Sequence, residues 1–236
     1  MGTSSLPIIH HEPGRLDQEP YRDKAVLTGG RHHVKAPAKT KTRDKVLTDR
    51  EIERVWNSAA DMGFPFGPFI RLVLLTGQRR CEVAKLRWSD IDFEKKEWVQ
   101  PETSNKSRRT HIVPLSEAAI DLLQSLPRFQ SEWVFPATSG DHAISGFSKW
   151  KAELDRLSHT SGWTIHDLRR TMTTRMAMAR VPSVVVELIL NHSRRASNPI
   201  AAVYNRYDYM DERRTALEEW AKTVIAIAQP SIDLAR

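Results

Sequence analysis

The sequence predicts a mostly α, α+β fold: a helical domain carrying one small three-stranded antiparallel sheet. Two observations predict it. Apolar residues recur at helical spacing through most of the chain from Leu47 onward, and strand-like segments are confined to residues 88–115, where polar turns join them. No internal repeat is visible.

Residues 1 to 45 are rich in Pro, Gly, His and charge and show no sustained period, so they read as an irregular basic arm. A folded domain is expected over 46–229, with a short tail at 230–236. Order begins at Leu47, where Thr48 and Glu51 form a capping box and Ile52, Val55 and Trp56 supply an apolar stripe. After the Gly/Pro interruption at 63–68, Phe69 to Leu75 is a nearly all-apolar helix suited to the core. Thr76-Gly77 breaks it, and Arg79 to Leu86 reads as the next helix. Residues 90–93, 97–100 and 110–114 are the three strands. Ser116 caps a helix running to Leu126. Further helices are expected from Gly146 to Leu157, from Thr164 to about Ala179, from Ser183 to Asn191, and over 199–207 and 211–227.

Thirty-six Lys and Arg against 29 Asp and Glu give a net charge of +7, which favours a polyanionic partner. The basic residues concentrate in the arm: residues 31–50 hold seven Lys/Arg (Arg31, Lys35, Lys39, Lys41, Arg43, Lys45, Arg50) and two Asp. Such a run is either a solvated linker or a strap along a phosphate backbone. One cysteine, Cys81, excludes an internal disulfide framework. The sequence shows neither a membrane-spanning stretch nor a secretory leader, so a cytoplasmic protein is expected. His10-His11 and His32-His33 lack Cys or acidic partners at ligand spacing and read as solvated arm residues; no metal and no cofactor is expected.

Four motifs carry chemistry. In Thr76-Gly77-Gln78-Arg79-Arg80-Cys81-Glu82 a glycine turn places Arg79 at the first turn of a helix, where backbone N–H groups favour an anion. Glu82, three residues on, shares its face and can orient the guanidinium; a surface Arg–Glu pair has the same spacing. In His166-Asp167-Leu168-Arg169-Arg170-Thr171, His166 and Arg169 share one face, presenting an imidazole and a planar fork to one point. Arg170 lies about 100° round the helix and reads as a solvent or DNA-backbone contact. Met172, Met176 and Met178 read as core packing. In Leu188-Ile189-Leu190-Asn191-His192, Asn191 suits a left-handed helix end and His192 follows it. The fourth, Ala201-Ala202-Val203-Tyr204-Asn205-Arg206-Tyr207-Asp208-Tyr209, offers three tyrosines ahead of a charged helix.

In this order, together with a hairpin ending Val113-Pro114-Leu115-Ser116, the motifs resemble the tyrosine recombinase, or phage integrase, family over about residues 46–227. The resemblance implies the helical catalytic domain of that family and site-specific cleavage and rejoining of double-stranded DNA through a 3′-phosphotyrosyl intermediate, in a protein of a phage or other mobile element. It assigns Arg79 and Arg169 to the phosphate clamp and His166 and His192 to the site's histidines; Glu82, from its spacing to Arg79, is an accessory residue. The family's lysine sits eight residues before the proline closing the second hairpin strand, which here is Lys106. Arg108 and Arg109 share that hairpin and, with Arg80 and Arg170, are candidates for DNA-backbone contact. Tyr204 matches the nucleophile, with Tyr207 and Tyr209 as rivals. Asn191 replaces the family's usual glycine before the second histidine.

The chemistry suits these residue types. Phosphodiester exchange moves charge onto non-bridging oxygens, which two arginines meet bidentately while staying protonated. A phenol attacks phosphorus and stores the bond energy in an ester, so no ATP is needed. The leaving 5′-oxygen takes a proton, a role for Lys106, and His166 suits proton exchange with the tyrosine hydroxyl. Two alternatives stay open: a type IB-like topoisomerase, which uses the same chemistry without exchanging partners, and a DNA-binding relic that no longer cleaves. Leu217, Trp220, Ala221 and Val224 give the C-terminal helix an apolar face that packs in cis or docks in trans in a DNA-bound tetramer. Family members usually carry an N-terminal helical core-binding domain, which an irregular arm does not supply. This chain is therefore expected to be a fragment or short form that binds DNA weakly and without sequence choice; nanomolar site-selective binding at physiological salt would contradict that.

Overall fold

The computed structural model describes residues 44–103, 109–192 and 207–229, all within one compact unit, Arg43–Arg236. The basic arm up to residue 43, and the helix expected over 199–207 up to residue 206, lie outside the described residues.

The centre of the domain is α2 (Phe66–Thr76). Nine of its eleven residues are buried, because Arg71 is its only charged one and every face meets another element. Around it pack α1 (Asp49–Asp61), α4 (Glu117–Gln124), α6 (Ile165–Met178) and α8 (Met210–Ala228). The entry to α1 is fixed as its sequence predicts: Glu51 N donates to the Thr48 hydroxyl at 3.3 Å, and Thr48 N donates to the Glu51 carboxylate at 2.8 Å. α5 (Phe147–Ser158) packs against α1, and α7 (Ser183–Ile189) lies against α6 and α8.

The sheet is antiparallel, in the order β1 (Ile91–Asp92), β2 (Glu97–Gln100), β3 (His111–Pro114). Alternation along β2 and β3 buries Trp98 against Val113, and buries the polar pair Gln100 and His111, which stand opposite each other. Two polar side chains facing inward must find partners there. Those partners belong to the candidate site.

Several expectations change. α3 is Arg80–Ala84, shorter than the predicted helix, and Arg79 is its N-cap rather than a member of its first turn. Of the three methionines assigned to the core, Met172 and Met176 are buried but Met178 is 70% exposed, because it lies at the last turn of α6 beyond the packed face. The apolar face of α8 packs in cis: Leu217, Trp220, Ala221 and Val224 are all buried, and Trp220 Nε1 donates to Leu74 O at 2.8 Å. Burial of a tryptophan on this scale contributes about 3–5 kcal/mol. Among the described residues, no helix is long and apolar enough to cross a membrane.

Candidate active site

Two helix ends and one helix start converge on Arg169. α2 stops at Gly77, whose φ of +63° is left-handed, and a Cβ there would come within 2.2 Å of Met172 Cε. Glycine therefore serves both the backbone turn and the close approach of α6. The chain then turns directly into α3. α7 ends at Leu190, followed by Asn191 at φ +51°, so the expected left-handed step is present and His192 emerges exposed just after it.

Arg169 rises from the first turns of α6 and is only 4% exposed. Its Nη1 donates to Gly77 O at 2.8 Å and its Nη2 to Leu190 O at 2.7 Å, so one guanidinium caps the C-termini of α2 and α7. Helix C-termini carry partial negative charge, which offsets part of the cost of burying this cation. The Arg169 guanidinium is still pushed down to about 10, first by burial and then by the Arg79 cation. Arg169 Nη2 also lies 3.0 Å from His192 Nε2. A guanidinium only donates, so Nε2 is the acceptor and the neutral His192 ring carries its proton on Nδ1.

Arg79 is held differently. Its Nη1 donates to Glu82 Oε1 at 2.8 Å and its backbone N–H to Glu82 Oε2 at 2.9 Å, while Glu82 itself is buried. Glu82 thus bonds both the guanidinium and the backbone N–H of Arg79, so that this N–H of the helix start is already taken by a carboxylate. His166 is exposed, one residue before the buried Asp167 that caps α6 through Thr164. Both histidines are shifted below the ordinary imidazole value, first by desolvation and next by Arg169. The site therefore presents two arginines, one carboxylate and two neutral imidazoles at neutral pH.

A cleft of about 640 Å³ adjoins it, lined by Arg79, Glu82, His166, Lys151 and Trp163 among others. Lys151 Nζ stands 3.7 Å from the Trp163 ring centroid and bonds both Asp155 oxygens at 2.6 Å. Of the backbone-contact candidates, Arg80 is exposed with its guanidinium over Phe147, and Arg109 is exposed at the foot of β3. Arg170 is tied to Asp167, so it is less available than its position round the helix implied. Lys106 and Arg108 lie in 104–108, and Tyr204 in 193–206, outside the described residues.

The rival tyrosines, Tyr207 and Tyr209, both lie within the described residues. Tyr207 is 53% exposed, and its phenol is raised above the ordinary value, chiefly by Glu212, then by desolvation and by Asp211 and Asp208. Those carboxylates would also repel a phosphate. Tyr209 takes a left-handed φ of +55° as the N-cap of α8 and packs against the core.

Two residues that sequence reading missed complete the site. Gln78 Nε2 donates to Ile189 O at 2.8 Å and to Thr76 O at 3.0 Å, and His111 Nε2 lies 3.1 Å from the same Ile189 O. The available signal was polarity at inward strand positions, which marks Gln100 and His111 as needing partners; Gln78, in a turn, gave none.

Comparison with known proteins agrees with this architecture. The model of the phage integrase family matches residues 45–209. Prophage integrase IntA of Escherichia coli (strain K12) is 32% identical over 163 residues, covering 68% of this chain and 39% of that protein. Prophage integrase IntZ of the same organism is 33% identical over 161 residues, covering 67% and 39%. The chain thus spans about two fifths of the length of these curated relatives. The fold resembles the integrase from mycobacterium phage Brujita, with a TM-score of 0.59 at 18% identity over 79% of this chain and 61% of that one. A family model that covers most of the folded unit, and relatives above 30% identity, lead to one conclusion: the chain belongs to the phage integrase family.

Proposed function

We propose that this chain is the strand-cleaving and rejoining part of a site-specific DNA recombinase of a phage or other mobile element. The observation that carries the reading is the buried Arg169 beside Arg79, two cations that share one carboxylate, Glu82, as counter-ion. A scissile phosphate supplies the missing negative charge, and each arginine has the donor geometry to grip it.

In this mechanism Tyr204 attacks the phosphorus, its oxygen forming the P–O bond as the bond to the 5′-oxygen breaks. The phenolic proton passes to His166, and Lys106 protonates the leaving 5′-oxygen. Arg79, Arg169 and His192 stabilise the charge on the non-bridging oxygens. The acidic surroundings of Tyr207 and the packing of Tyr209 support Tyr204 in this role. Rejoining is the same steps reversed with a new 5′-hydroxyl, so the ester bond is conserved without ATP. Arg80, Arg108, Arg109 and Arg170 are proposed contacts to the DNA backbone, and the domain boundaries are proposed as a basic arm at 1–45, a catalytic domain at 46–229 and a tail at 230–236.

The test is covalent capture on nicked duplex DNA followed by mass spectrometry of the bound peptide. The expected adduct is at Tyr204, and its yield is unchanged by chelator, since arginines rather than a metal carry the charge; an adduct that requires added Mg²⁺ would refute the mechanism. Exchange between two duplexes requires four strand cuts, so four protomers are proposed on the DNA. Because the apolar face of α8 is buried in cis, the contribution of this helix to assembly falls to its charged outer side. Sedimentation of the adduct complex at four chains per two duplexes checks this.

A further inference from the structure

We infer that His111 and Gln78 are positioning residues of this active site, jointly holding the Ile189 carbonyl so that the end of α7 presents Leu190 O and His192 to Arg169. The inference rests on the proposed recombinase function.

A carbonyl oxygen accepts two hydrogen bonds, and Ile189 O receives two from different parts of the chain. Gln78 Nε2 comes from the turn immediately before Arg79, at 2.8 Å, and His111 Nε2 from β3, at 3.1 Å. Both side chains are buried, Gln78 at 1% exposure and His111 at 8%. Gln78 is itself fixed, donating to Thr76 O at 3.0 Å and accepting from Gln100 Nε2 at 3.4 Å. Three parts of the site are therefore registered on one oxygen. They are the turn that carries Arg79, the strand β3, and the helix end that carries His192.

The next carbonyl along, Leu190 O, is the one that Arg169 Nη2 grips, and the same nitrogen faces His192 Nε2 at 3.0 Å. With α7 only seven residues long, its last turn has little helix behind it to hold its position. Loss of either donor leaves Ile189 O tied from one side only, and lets Leu190 and His192 drift from Arg169. Drift on the ångström scale is enough to cost of the order of 100-fold in rate.

The experiment compares the unaltered full chain with His111→Leu, His111→Gln and Gln78→Met. The probe is a nicked duplex selected, from a pool with a randomised core, by covalent capture on the unaltered chain. Adduct formation at saturating DNA is expected to slow about 100-fold in His111→Leu and Gln78→Met, with DNA affinity unchanged. His111→Gln restores an amide donor and is expected to recover most of the rate. NMR titration of the His192 ring gives a signature that mere loss of stability does not. The groups facing that ring are Arg169 and His166 of α6, Arg79 before α3, and Glu187 of α7. As Arg169 withdraws, His192 is expected to titrate at higher pH in the two slow variants and as in the unaltered chain in His111→Gln. Unchanged rates and an unchanged His192 titration overturn the inference while leaving the recombinase reading intact. So does a slow rate in His111→Leu explained by lost folded protein, with no recovery in His111→Gln. Failure of the unaltered chain to capture any duplex overturns the recombinase reading and the inference with it.

Discussion

Replacing Arg169 with lysine is expected to slow DNA cleavage by about 100- to 1,000-fold and to destabilise the fold by about 3–5 kcal/mol. The two effects have one origin. The guanidinium spans two helix ends, donating from Nη1 to Gly77 O and from Nη2 to Leu190 O while almost fully buried. An ammonium group is a single point with three donors on a flexible stem, so it reaches one of these carbonyls and leaves the other unsatisfied. It also has no fork to offer a phosphate. Arg79→Lys separates the two effects. Arg79 is more exposed, its side chain is paired with the Glu82 carboxylate, and it closes no helix end. That variant is expected to lose comparable activity but under about 1 kcal/mol of stability. Urea unfolding alongside adduct kinetics for both variants decides it. Equal stability losses would show that Arg169 is not the bridge described.

The parts of the fold that were legible in the sequence are those set by local rules. Thr48 with Glu51, Ser116 with Ala119, and Thr164 with Asp167 each cap the helix expected of them, because a cap needs only neighbouring residues. The three strands follow from alternation, and their ends shifted by a residue or two where pairing, not pattern, sets the limit. Tertiary geometry was not legible. The start of α3 is decided by Glu82 folding back on Arg79, and the exposure of Met178 by its place at the last turn of α6. In the site, Arg79, Glu82, His166, Arg169 and His192 were readable because each lies at a helix boundary that the sequence marks. His111 and Gln78 were not, since their common partner is a backbone carbonyl 78 and 111 residues away in the chain. No side-chain motif records such a pairing.

Burial of His111 predicts a specific instability in acid. Its imidazole is pushed down to about 4, first by burial and then by the nearby Arg213, against an ordinary value of 6.5. Burial and Arg213 keep the ring neutral against the pull of its bond to Ile189 O, to which Nε2–H is donated. In the unfolded chain the ring takes up a proton as pH falls through 6.5, whereas in the folded chain it resists until about 4. Protons therefore favour the unfolded state across that window. The stability from this residue is complete above pH 6.5 and declines as pH drops toward 4, by about 3 kcal/mol in all. Other groups change charge in acid as well, among them His166 and His192, both lowered, and Asp90, which is raised by burial. They remain in a His111→Gln variant, so the difference between the two proteins isolates the one ring. Urea unfolding at pH 7 and pH 4.5 is expected to show the variant losing about 2–3 kcal/mol less than the unaltered chain between the two conditions. At pH 7 the variant gains nothing from this source, because the ring is neutral in both states. An equal acid loss in both proteins would mean that His111 is solvated enough to protonate in place, keeping its Nε2–H on Ile189 O as it does so.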